Sequence, residues 1–252
     1  MWRTCPSFIT GLLLLTAPAP GQVVDDFKSP HTPCCLPGAA QRLADQLGDW
    51  NMLGQFYAAN EDLRKQPADP HRVVFMGDSI TIGWHLDQSF PGKPYVNRGI
   101  SGQTTPQMLV RMFPDVIDLQ PAAVIILAGT NDIARNTGPV TMTMIEENLQ
   151  AMTELAQAHG IKVILCSVTP IADYGRVRMS EGHPPADILK LNAWLKDYTA
   201  RAHATYADYF AALVDDQGML KPGISGDGLH PNADGYKLMA PVAEAAIAKA
   251  LQ

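Results

Sequence analysis

Near the C-terminus, Asp227-Gly228-Leu229-His230-Pro231 places a carboxylate three positions before an imidazole, across a glycine-containing turn. That spacing lets Asp227 fold back onto Nδ1 of His230. It would fix the ring's tautomer, leave Nε2 free to take a proton, and stabilise the imidazolium that forms. A base of this kind calls for a nucleophile, and Ser79 in Gly77-Asp78-Ser79 is the candidate, since a hydroxyl attacks poorly until a neighbouring base removes its proton. Donors for a developing oxyanion are offered by Gly102, in Asn97-Arg98-Gly99-Ile100-Ser101-Gly102, and by the side chain of Asn131, in Gly129-Thr130-Asn131-Asp132. With the Ser79 N–H they make three, a number suited to a tetrahedral oxyanion, where losing one donor typically costs ~10²–10³ in rate. Each feature also has a plainer reading. Serine after a strand commonly caps a helix, Pro231 and Asn232 could simply start the last helix, and the glycines and Asn131 could serve turns. The strand-turn-helix elbow G-x-S-x-G does not fit, because Thr81 stands where its second glycine would be.

The elements that must position these residues alternate in period. Short, nearly continuous apolar runs at Val73–Met76, Tyr95–Val96, Ala123–Leu127, Val163–Leu165 and, more weakly, Thr205–Ala207 read as strands. Helical spacing fills 105–119, 142–159, 186–203 and 233–251, and recurs earlier over Leu36–Gln66, broken near Gly48. Strands apolar on both faces and separated by amphipathic helices predict a parallel sheet covered on both sides, an α/β three-layer α/β/α sandwich of flavodoxin-like type. In such sheets ligands bind beyond the carboxyl ends of the strands. Asp78–Ser79, Asn97–Gly102 and Gly129–Asp132 follow three successive strands there. Asp173–Pro185 is the longest aperiodic stretch, with Arg176, Arg178 and His183 as a rim that could face a polar alcohol or remain solvated. His85, His159, His183 and His203 have no partner spacing, Asp132 is expected to support the Asn131 loop, and Trp84 could line a pocket or pack in the core.

The chain has 252 residues, 46% hydrophobic and 17% charged, with a formal charge of −6, enough for one well-buried domain. No run of Lys and Arg is long enough to track a phosphate backbone, which excludes nucleic acid as a partner. Arg3, the apolar stretch Phe8–Leu15 and the small residues Ala19 and Gly21 have the anatomy of a secretory signal peptide over 1–21, cut before Gln22. The apolar stretch is too short for a membrane span, so no stable membrane insertion is expected after its removal. A Pro- and Asp-rich leader follows over 22–35. Cys34, Cys35 and Cys166 would remain in the mature chain, without the paired spacing of a disulfide framework or a metal site. No metal or organic cofactor is called for.

Taken together, the motifs resemble the SGNH hydrolases, the GDSL-type esterases and lipases, from about Val73 to the C-terminus. The first block is Gly77-Asp78-Ser79-Ile80, with Ile where Leu is usual. The second-block glycine corresponds to Gly102, G-x-N-D to Gly129–Asp132, and D-x-x-H-P to Asp227–Pro231. The resemblance implies a Ser79–His230–Asp227 triad, an oxyanion hole of Ser79, Gly102 and Asn131, and one hydrolase domain over 36–252, with 36–66 as a helical preface. A secreted or periplasmic enzyme acting on short acyl or carbohydrate O-acetyl esters is the first expectation. Lysophospholipase, arylesterase or thioesterase activity is the near alternative, and an O-acyltransferase or a non-catalytic glycan-binding module the more distant one. The partner in each case is a small-molecule or glycan ester.

Overall fold

The computed structural model describes residues 48, 49, 51–174 and 178–252. The signal segment 1–21, the leader 22–35, the first part of the helical preface and Arg176 lie outside the described residues. In chain order the elements are α1 (Tyr57–Arg64), β1 (Val73–Gly77), α2 (Ser79–Ile82), α3 (Leu86–Ser89), β2 (Tyr95–Gly99), α4 (Thr105–Val110) and α5 (Met112–Asp115). After a 3-10 turn at Ile117–Leu119 come β3 (Ala123–Leu127), α6 (Thr130–Ile133), α7 (Met142–Ala158), β4 (Lys162–Cys166) and α8 (Met179–Gly182). The chain closes with α9 (Pro185–Arg201), β5 (Thr205–Ala207), α10 (Tyr209–Leu213) and α11 (Ala233–Ala250).

All strand pairs are parallel, in the order β2-β1-β3-β4-β5, the flavodoxin-like arrangement. Alternation along each strand sends side chains to two separate cores. Val74, Met76, Val124, Ile126, Val163 and Leu165 enter one, beneath α4, α5, α7 and α9. Val73, Phe75, Ile125, Leu127, Ile164 and Cys166 enter the other, beneath α2, α10 and α11. The sheet is therefore apolar on both faces because helices cover both. Gly77 pairs with Gly99 and with Leu127, so Asp78, Ile100 and Ala128 leave the sheet along one edge.

Two elements depart from the sequence pattern. The apolar run of β2 ends at Val96, yet the strand continues through Gly99. It can do so because Asn97 Nδ2 donates to the Thr81 and Trp84 carbonyls at 2.6 and 3.1 Å, and Arg98 Nε donates to Asn60 Oδ1 at 2.9 Å. The helical stretch over 105–119 is broken into α4, α5 and the 3-10 turn. Pro114, without an N–H, lies inside α5, and Gln120 ends the turn with φ of 50°. The aperiodic stretch before α9 contains the single turn α8.

Gly99 shows how tightly β2 passes beneath the turn after β1. A Cβ there would lie 2.2 Å from the Ile82 nitrogen and 2.8 Å from the Asp78 oxygen, both backbone atoms that cannot swing aside. Gly99→Ala should therefore lower stability by about 2 kcal/mol or more through overpacking. Thermal unfolding checks this, and an unchanged Tm would contradict the close approach.

Candidate active site

The turn after β1 sets Ser79 by steric and hydrogen-bond means. The capping group of α2 is Asp78, whose Oδ1 accepts from the Ile80 N–H at 2.9 Å. Ser79 therefore opens α2 with its hydroxyl unspent on capping, and Oγ lies 2.9 Å from His230 Nε2. Tyr236, one turn into α11, donates its hydroxyl to the Ile80 carbonyl at 2.8 Å and ties the two elements together.

His230 is aimed by the turn that precedes α11. Its Nδ1 lies 2.6 Å from Asp227 Oδ2, while Asp227 Oδ1 accepts from the Leu229 and His230 N–H groups, both at 2.9 Å, and from Ser225 Oγ at 3.1 Å. Burial alone would raise the Asp227 carboxyl. The His230 ring hydrogen bond, the backbone donors and the His230 charge outweigh it and hold the group well below the usual carboxylate range. Gly228 has φ of 87°, and a Cβ there would lie 2.0 Å from the Ala172 oxygen. The bare backbone lets Ala172 N–H donate to the Gly228 carbonyl at 2.8 Å, fastening this turn to the segment after β4. Asn232 then caps α11 through the Asp234 and Gly235 N–H groups. The turn both starts the helix and aims the ring.

Asn131 and Gly102 meet at the same edge. Asn131 is buried, with Nδ2 donating to the Gln103 carbonyl at 3.0 Å and to Asp78 Oδ2 at 3.3 Å. Asn136 Nδ2 donates to Asn131 Oδ1 at 2.8 Å and approaches the Gly102 carbonyl at 3.4 Å. Asp132 supports the loop as expected, by reaching the start of α4: its carboxylate accepts from the Thr105 N–H at 3.0 Å and from the Thr105 hydroxyl at 2.6 Å. Burial pushes the Asp132 carboxyl up to about 6, against the Thr105 hydroxyl and N–H.

The structure thus brings Ser79, His230 and Asp227 into one hydrogen-bonded row and links Gly102 with Asn131 through Asn136. Trp84 packs in the core, stacked on Tyr236 with ring centroids 5.4 Å apart, and its indole N–H donates to Ser89 Oγ at 2.8 Å. His85, His159 and His203 are exposed. His183 is buried, its ring lowered first by burial and further by the charge of His230. Arg178 lies 3.5 Å from the Asp173 carboxylate. Sequence reasoning missed Gln103, Asn136 and Tyr236, which have no motif of their own. The available signals were adjacency to Gly102 and a position five residues past Asn131.

A serine hydroxyl, an imidazole and a carboxylate thus stand in a row at the carboxyl edge of an open parallel α/β sheet. The model of the GDSL-like Lipase/Acylhydrolase family matches residues 75–238, and the chain belongs to that family and is a carboxylic ester hydrolase. It is 40% identical over 207 residues to the uncharacterised lipoprotein YqeF of Bacillus subtilis, covering 66% of this chain and 85% of that one. It is 28% identical over 183 residues to the esterase TesA of Pseudomonas aeruginosa, covering 67% and 84%. The crystal structure of a GDSL-like lipase from Bacteroides thetaiotaomicron superposes with a TM-score of 0.74 at 39% identity, over 80% of this chain and 99% of that one.

Burial pushes the Asp78 carboxyl from 3.8 up to about 7, against the Ile80 N–H and the His230 charge. In the unfolded chain the group titrates at its ordinary value, so between about pH 4 and 7 the folded state holds more protons. Stability through this group therefore falls as pH rises across that window, with the full cost present above 7. Asp78→Asn abolishes the titration. The stability of the wild type minus that of the variant should be larger near pH 5 than near pH 8, by on the order of 2–4 kcal/mol. Denaturant titrations at the two pH values test this, and a gap that is flat or widens with pH would contradict it.

Proposed function

We propose that this protein is an extracytoplasmic serine esterase in which Ser79 is the nucleophile, His230 its base and Asp227 the group that orients the base. The observation that carries this reading is the continuous row from Ser79 Oγ to His230 Nε2, 2.9 Å, and from His230 Nδ1 to Asp227 Oδ2, 2.6 Å. Ser79 Oγ attacks the ester carbonyl carbon while Nε2 takes its proton. The Ser79 and Gly102 N–H groups and the Asn131 amide hold the oxyanion. The 3.3 Å link from Asn131 to Asp78 is the longer of its two donor bonds, and so the one more readily exchanged for the oxyanion. The imidazolium then protonates the leaving alcohol, and water repeats the sequence on the acyl-enzyme. The signal-like residues 1–21 and the similarity to a relative named a lipoprotein support the location.

Short acyl groups on polar alcohols, with carbohydrate O-acetyl esters first, fit the surroundings best. Of the apolar residues nearest the site, Ile80, Trp84, Ile133 and Ile171 are buried in the cores, and only Ile82 is exposed, at 40%. Ser101 and Asn136, which flank the Gly102 loop, are exposed and polar. An acyl chain therefore finds little apolar wall, and a hydroxylated alcohol finds hydrogen-bonding partners.

Hydrolysis of nitrophenyl esters of increasing acyl length, and of acetylated xylan, by the wild type and Ser79→Ala tests both levels of this reading. On the ~0.8 kcal/mol gained per buried methylene, kcat/KM should peak at about two to four carbons and fall beyond about eight. Ser79→Ala should lower every activity by several orders of magnitude while the Tm is kept. A profile still climbing at about twelve carbons would overturn the short-acyl reading. Retention of more than about a tenth of wild-type activity in Ser79→Ala would overturn the nucleophile.

A further inference from the structure

Gln103 directly follows Gly102 and is only 2% exposed. Its backbone carbonyl accepts the Asn131 amide at 3.0 Å, so one peptide segment carries one proposed oxyanion donor and holds another. Its side chain is fixed at both ends. Nε2 donates to the Asn51 carbonyl at 3.0 Å, and Oε1 accepts from Arg111 Nε at 2.7 Å. Arg111 is fully buried between α4 and α5, ion-paired with Asp115 and donating to the Arg98 carbonyl at 3.1 Å. Asp115 in turn accepts from Asn60 of α1 at 2.6 Å.

An amide with donor and acceptor both satisfied in a buried site has no second orientation of comparable energy, because rotation would leave two buried groups unpaired. A buried guanidinium is equally intolerant of displacement, since losing its carboxylate strands a charge. We propose that Gln103 is a positioning residue for the oxyanion hole, locked by Arg111 on one side and by the backbone of the segment before β1 on the other. That segment, which carries no residue of the proposed triad, thereby becomes part of the support for the reaction. The inference rests on the oxyanion-hole reading above.

Steady-state kinetics of Gln103→Ala, the near-isosteric Gln103→Met, Asn131→Ala and the Gln103→Ala/Asn131→Ala pair test it, with active sites counted by a fluorophosphonate titrant. Per titrated site, both Gln103 variants should lower kcat about 10- to 100-fold, the scale of a misplaced donor, with KM within about threefold. Asn131→Ala should cost much less in the Gln103→Ala background than in the wild type, because both act through one donor. A wild-type kcat per titrated site in Gln103→Met, or fully additive losses, would overturn the positioning role. So would failure of both Gln103 variants to give folded protein, which would make the residue a prop of the fold alone. If Asn131→Ala by itself left kcat unchanged, the oxyanion-hole reading would fall first, a result distinct from the others.

Discussion

The hydrogen bond between Ser79 Oγ and His230 Nε2 joins residues 151 positions apart in the chain, and much of the architecture serves to make it. For it to form, the carboxyl end of β1 and the turn before α11 must meet at one edge of the sheet. The all-parallel sheet delivers that meeting, since parallel pairing puts every strand's carboxyl end on the same side. Tyr236 then pins α11 to the Ile80 carbonyl, and Ala172 pins the Asp227–His230 turn to the segment after β4. Both depend on a missing Cβ: one at Gly83 would lie 2.8 Å from the Tyr236 hydroxyl, and one at Gly228 would lie 2.0 Å from the Ala172 oxygen.

A second constraint is electrostatic. Between the two apolar cores the edge buries Asp78, Asp132, Asn131, Gln103 and Arg111, groups whose removal from water is costly unless every polar atom is met. Two of the carboxyls answer by holding their protons to higher pH, Asp78 to about 7 and Asp132 to about 6. Asp227, more exposed and ringed by donors, moves the other way. Three carboxyls within one site thus divide by environment: two tuned toward neutrality that hold loops in place, and one kept ionised beside the imidazole.

Much of this was legible in the residues alone. The five strands, their parallel sense and the long helices follow from apolar runs such as Ala123–Leu127 and from 3.6-residue spacing over 142–159. The juxtaposition of Ser79, His230 and Asp227 was legible because each sits in a short motif with fixed local geometry. The continuation of β2 through Asn97 and Arg98 was not, since periodicity registers apolar burial and these polar residues are buried by partners far away in sequence. The same reason hid Gln103 and Asn136: their roles depend on contacts with Asn51, Arg111 and Asn131 that no local window contains. Trp84, close after the turn that carries Ser79, had two readings in the sequence, and its aromatic cluster with Phe75, Phe90 and Tyr236 places it in the core.

The proposed chemistry requires Ser79 to be a nucleophile made reactive by His230. The most direct measurement is covalent labelling with a fluorophosphonate, followed by mass spectrometry of the proteolysed protein and a labelling rate for His230→Ala. A single phosphonyl adduct on Ser79 is expected, formed orders of magnitude more slowly in the His230 variant, because the hydroxyl then lacks its base. An adduct on another serine such as Ser101, or a labelling rate unchanged by His230→Ala, would contradict it.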